Sequence, residues 1–80
     1  MPTVLRIGPF RFYFYSNETG EPPHVHVDKG EMSAKFWLQP VSLAGSVGFS
    51  PKELKKIQEL TSENRKQLLE AWDEYFSVEG

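Results

Sequence analysis

Phe10-Arg11-Phe12-Tyr13-Phe14-Tyr15 puts a phenylalanine at every second position. Side chains alternate across a β-strand, so one face of this segment is all phenylalanine and the other holds Arg11, Tyr13 and Tyr15. The same period recurs downstream. His24 to Asp28 sets Val25 and Val27 against His24, His26 and Asp28. Met32 to Leu38 sets Met32, Ala34, Phe36 and Leu38 against Ser33, Lys35 and Trp37. Thr3 to Ile7 is a shorter β-rich run ahead of a Gly8-Pro9 break, Ser16 to Pro23 reads as a polar loop, and Lys29-Gly30 as a hairpin turn. Short connections favour antiparallel neighbours, because parallel pairing needs a long crossover. The expectation is a four-stranded antiparallel sheet, with Val41 to Leu43 as candidate fifth strand in an otherwise irregular Pro40 to Gly48 stretch.

A helix start follows at Phe49-Ser50-Pro51-Lys52-Glu53-Leu54. Ser50 is an N-cap residue, Pro51 suits the first helical position, Glu53 completes a capping box, and Phe49 can staple onto Leu54. Leu54, Ile57, Leu68, Trp72, Tyr75 and Phe76 share one broad face at about 3.6 residues per turn. That phase predicts one long helix, bent near Thr61; the rival is a hairpin of two helices broken around Thr61 to Asn64. The fold class is α+β, a single domain over 1–80 with a sheet portion at 1–49 and a helical portion at 50–77. The helix lies on the phenylalanine side of the sheet. Phe10, Phe12, Phe14, Val25, Val27, Ala34, Phe36 and Leu38 then meet Leu54, Ile57, Leu68, Trp72 and Phe76.

With 80 residues and no cysteine, the chain has no disulfide staple, thiolate metal site or cysteine nucleophile. Its six Phe, three Tyr and two Trp must supply a dense core, or a partner chain must help. No apolar run is long enough to span a membrane and no secretory signal is visible, so a cytoplasmic location is the expectation. The net charge of −2 argues against a duplex nucleic-acid coat, though not against a local basic patch. Lys52, Lys55 and Lys56 near the helix start, and Glu70, Asp73, Glu74 and Glu79 near its end, oppose the macrodipole. That pattern suits an ordinary solvated surface better than an acidic dock.

The second sheet face holds the chemistry: Arg11, Tyr13, Tyr15, His24, His26, Asp28, Ser33, Lys35 and Trp37. Both histidines of the chain fall in Glu21-Pro22-Pro23-His24-Val25-His26-Val27, on one side of a strand and about 6.5–7 Å apart along it. Three readings compete. They are plain strand residues facing solvent or a partner. Or they are an acid–base pair for a phosphodiester, with Arg11 and Lys35 on phosphate, Tyr13 as a stacking or proton-shuttling group, and Tyr15 and Trp37 stacking on bases. Or they are two metal ligands, for which Asp28 or Glu31 would have to supply a third. Gly45-Ser46-Val47-Gly48 lacks the Lys-Ser/Thr ending of a phosphate loop and reads as a flexible connection.

The segments MPTVLRIGPFRFYFYSNE, EPPHVHV, AKFWLQPV and GFSPKELKKIQEL…LLEAWDEYF resemble a family of small bacterial proteins, domain of unknown function 4160, over essentially the whole chain. The resemblance implies pairing with a cognate small protein encoded nearby, of domain of unknown function 2442, in an arrangement similar to toxin–antitoxin modules. It implies no established catalytic residues. Two functions are therefore weighed. One is a metal-independent RNA-cleaving toxin needing no cofactor, in which His24, His26, Arg11, Lys35 and Tyr13 act and Tyr15, Trp37 and Asp28 bind. The other is a non-catalytic module that docks the cognate protein, or a second copy as a homodimer, through the same face. The acidic balance weighs against RNA.

Overall fold

Five antiparallel strands line up in chain order in the computed structural model, which describes residues 3–15 and 20–76. They are β1 (Thr3–Ile7), β2 (Phe10–Tyr13), β3 (His24–Lys29), β4 (Met32–Leu38) and β5 (Val41–Val47). Two helices follow, α1 (Pro51–Glu63) and α2 (Arg65–Phe76). The α+β class and the antiparallel sheet agree with the alternation of the sequence. No helix among the described residues is long and apolar enough to cross a membrane.

The β1–β2 and β3–β4 hairpins close on two-residue loops that begin with glycine. Ile7 pairs Phe10 across Gly8-Pro9, and Lys29 pairs Met32 across Gly30-Glu31. Gly8 and Gly30 take φ of 55° and 61° at the first loop position, and among the described residues no non-glycine has positive φ. That is the sign pattern of a type II′ turn, whose twist matches the strands it joins. The β3–β4 turn thus sits one residue later than Lys29-Gly30, with Lys29 inside the strand.

The fifth strand is longer than expected. It runs from Val41 to Val47 and absorbs Gly45-Ser46-Val47, so the reading of that segment as a flexible connection is corrected. Lys35 pairs Gly45 and Phe36 pairs Leu43, which leaves Ala44 with no residue opposite. This extra residue shifts the side-chain phase halfway along the strand, which hides its alternation from a sequence reading.

The apolar phase of the C-terminal segment predicts one helix; the structure has two, separated by Asn64. Ser50 caps α1 with the full reciprocal capping box, and Pro51 opens it. Asn64 leaves the helical region at φ −108° and ψ 14°. Its side-chain amide and its backbone N–H both donate to the Leu60 carbonyl, at 2.9 Å and 3.1 Å. One turn earlier the buried Thr61 hydroxyl donates to the Ile57 carbonyl at 2.8 Å, a contact that bends helices. Helical i to i−4 bonding resumes at once, from Leu68 N–H to Asn64 at 2.9 Å, so Ile57, Thr61, Leu68 and Trp72 all stay buried. Arg65 Nε donates to the Leu38 carbonyl at 2.7 Å and fastens the break to the end of β4.

The core lies between sheet and helices as the alternation requires. Phe12, Val25, Val27, Phe36, Leu38, Ile57 and Leu68 are fully buried, with Phe10, Phe14, Ala34, Phe49 and Trp72 beside them. Leu54 and Phe76 pack against this cluster while partly exposed. Each large side chain removed from water contributes about 1.5–3 kcal/mol, which a domain this small needs to offset chain entropy.

Candidate functional site

Strand register assembles the polar face in rows. Arg6, Arg11, Asp28, Ser33 and Val47 form one row, and Tyr13, His26, Lys35 and Gly45 the next. His24, Trp37 and Ser42 form a third. The sequence-derived set therefore shares one side of the sheet, and the rows determine who meets whom.

Arg11 and Tyr13 converge on Asp28. The Tyr13 hydroxyl donates to Asp28 Oδ1 at 3.0 Å, Arg11 Nη1 lies 3.9 Å from Oδ2, and the guanidinium sits 4.6 Å from the centre of the Tyr13 ring. Tyr13 is only 4% exposed. Burial, then hydrogen bonds with Tyr15 and Asp28, push its phenol above the ordinary range and hold it protonated. This arrangement makes Tyr13 a donor fixed to a carboxylate.

The imidazoles differ sharply. Their ring centres are 5.2 Å apart. His26 is half-buried, stacked on Tyr13 at 5.5 Å and edge-on to Tyr15 at 4.4 Å. His24 shares the side of the strand that His26 takes but has no exposed surface, so the expectation that it is open to solvent, substrate or a partner is corrected. It begins β3 at the margin of the sheet, where Trp37 approaches at 5.6 Å from the open side and Trp72 at 5.0 Å from α2. Its Nδ1 lies 2.9 Å from the Pro22 carbonyl. A carbonyl only accepts, so Nδ1 carries the proton. Pro22-Pro23 stiffens the chain that carries this acceptor.

Glu21, which sequence reasoning did not single out, belongs to the site. Its Oε1 accepts from Lys35 Nζ at 2.7 Å and lies 3.7 Å from His24 Nδ1. Lys35 Nζ also sits 4.7 Å from the Trp37 ring centre. No local pattern signals this pairing, because Glu21 lies in the loop before β3 and meets Lys35 only through the register of β3 with β4.

Between these rows lies a shallow open concavity of about 390 Å³. Tyr13, Tyr15 and His26 form one wall, Asp28, Ser33 and Lys35 the floor, and Gly45, Ser46 and Val47 the opposite rim. Trp37 and His24 lie outside it. Gly45 stands across from Lys35, and a Cβ there would meet nothing within 4 Å, so the concavity opens toward the β5 edge. Among the described residues no three His, Asp or Glu side chains gather into a metal site.

A family model, domain of unknown function DUF4160, matches residues 10–73. The chain belongs to this family. The matched span covers β2 through most of α2, and so includes every wall of the DUF4160 site described above. No curated protein and no solved structure matches the chain.

Proposed function

We propose that this DUF4160 chain is a non-catalytic protein-binding module. It docks a cognate small protein, such as the domain of unknown function 2442 partner that the family resemblance implies. The Tyr15, His26, Lys35 and Trp37 side of the sheet carries the contact. The observation behind this reading is the pairing of cations with carboxylates around an aromatic, concave surface. Arg11 faces Asp28 and Lys35 holds Glu21, so the two cations nearest the concavity already have carboxylates, while Arg6 stands beside Arg11 at the β1 edge. A phosphate backbone is bound by cations that shed their counterions to it, whereas a protein interface favours aromatic anchors with polar tips and few net charges. Two-imidazole cleavage of RNA further needs both rings at one phosphodiester, and His24 has no surface to offer.

Co-expression of the chain with the domain of unknown function 2442 protein tests the reading. A stable complex is expected, weakened by Tyr15→Ala and Trp37→Ala, with no RNA cleavage by the purified chain. Cleavage of RNA that His26→Ala abolishes would overturn it in favour of an enzyme. A complex that ignores all three substitutions would move the contact off this face.

A further inference from the structure

Among the described residues strand β5 is an edge of the sheet, and apart from one irregularity it lacks the usual protection. From Val41 to Gly48 there is no charged residue and no proline, whereas β1 at the far edge carries Arg6. Open edges present rows of N–H and C=O that recruit further strands, and proteins blunt them with charges, prolines and bulges. In β5 the irregularity at Ala44 interrupts the edge, and past it Gly45–Val47 runs in register against Lys35–Ser33.

That short segment is complementary to itself. Gly45 and Val47 pair with Lys35 and Ser33, so both positions belong to the open face. Val47 is 68% exposed, and at Gly45 the space a side chain would fill is empty. We propose that two copies of this chain pair antiparallel through β5 about a two-fold axis at Ser46. Val47 of each copy then lies over Gly45 of the other, and Ser46 faces Ser46. An isologous contact sets each residue against its symmetry mate's neighbourhood, and an edge without charges brings no like charges together there.

The axis runs perpendicular to the sheet, so both open faces stay on the same side. Gly45, Ser46 and Val47 rim the concavity in each copy, so Val47 of one copy completes the rim of the other's. The two hollows merge into one trough across the seam. This pairing rests on the edge alone and is independent of what the face binds.

The chain has no cysteine, which makes the register directly testable. Directly opposed residues of an antiparallel pair lie about 4.5–5.5 Å apart at Cα, inside the range a disulfide spans. Ser46→Cys is expected to give a covalent dimer rapidly under mild oxidation, and Ser42→Cys to remain largely uncrosslinked. In light scattering across a micromolar-to-millimolar dilution series the unmodified chain is expected to dimerise. Val47→Lys sets a charge over the partner's glycine and is expected to weaken the dimer at least about tenfold with unchanged circular dichroism. A chain that stays monomeric throughout the series overturns the proposal. So does a dimer that withstands Val47→Lys and dissociates on Tyr15→Ala, because its contact is then the face.

Discussion

His24 Nδ1 lies 2.9 Å from the carbonyl oxygen of Pro22, two residues back along the chain. The bond commits one imidazole nitrogen to the backbone at the entry of β3. With Trp37 and Trp72 on either side, the ring works as a brace between the sheet margin and α2. His26, two residues on, stays half-buried on the open side. The two histidines are therefore expected to fail differently when removed.

His24→Ala opens a cavity in a fully buried site and leaves the Pro22 carbonyl without its donor. It is expected to cost about 2–4 kcal/mol in urea denaturation. His26→Ala is expected to cost under about 1.5 kcal/mol, because its ring is partly in water already. Equal losses at the two positions would show that His24 is not the brace.

Gly48 joins β5 to the α1 cap at φ +90°, and a Cβ there would stand 2.8 Å from Met32 Cγ. Gly48→Ala is expected to destabilise by about 1–3 kcal/mol, from the left-handed backbone and the close contact together. Met32→Ala removes the contact and leaves the φ strain. In a double-mutant cycle the cost of Gly48→Ala is therefore expected to shrink in the Met32→Ala background and not to vanish.

The α1 cap is tied to the β3–β4 hairpin. Glu53 accepts from Lys29 Nζ at 3.0 Å and from the Ser50 backbone N–H at 3.2 Å. The Lys29 bond, then the Ser50 bond, lowers the Glu53 carboxyl below its ordinary value. A group lowered on folding stabilises the fold above its unfolded value, and that contribution is lost as pH falls through the folded one. Thermal melts of Glu53→Gln are thus expected to lie below those of the unmodified chain near neutrality and to converge with them in acid. Ser50→Ala removes the cap hydroxyl and is expected to cost about 1 kcal/mol. Melts of Glu53→Gln that stay parallel down to low pH would contradict the linkage.

Tyr13 is raised rather than lowered, so its sign is opposite. A phenol raised on folding contributes stability that is complete below its unfolded value and is lost as pH climbs through the folded one. In an ultraviolet difference titration against Tyr13→Phe, the Tyr13 phenolate is expected to appear only above the ordinary phenol range, together with loss of the fold. Its appearance in the ordinary range with the fold intact would place Tyr13 in solvent.

Much of this architecture is written in the chain. Alternation assigned Phe12, Val25, Val27 and Phe36 to the helix side, and all are fully buried. The Ser50–Glu53 capping box is present as its spacing dictates. The break at Asn64 was harder to see, because the buried stripe of Ile57, Leu68 and Trp72 keeps its phase through a one-residue interruption. The full length of β5 was hidden by Ala44, whose extra residue cancels the period that marks a strand.

The site divides along the same line. By itself the sequence determined which face each side chain of β2, β3 and β4 takes, because the pleat is a local property of consecutive residues. Tertiary structure alone decided depth and company. His24 is sealed by Trp72 from a distant helix, Lys35 is neutralised by Glu21 from a loop, and the concavity opens at Gly45 on a neighbouring strand. Those contacts depend on register and on packing between segments far apart in the chain, which local periodicity does not encode.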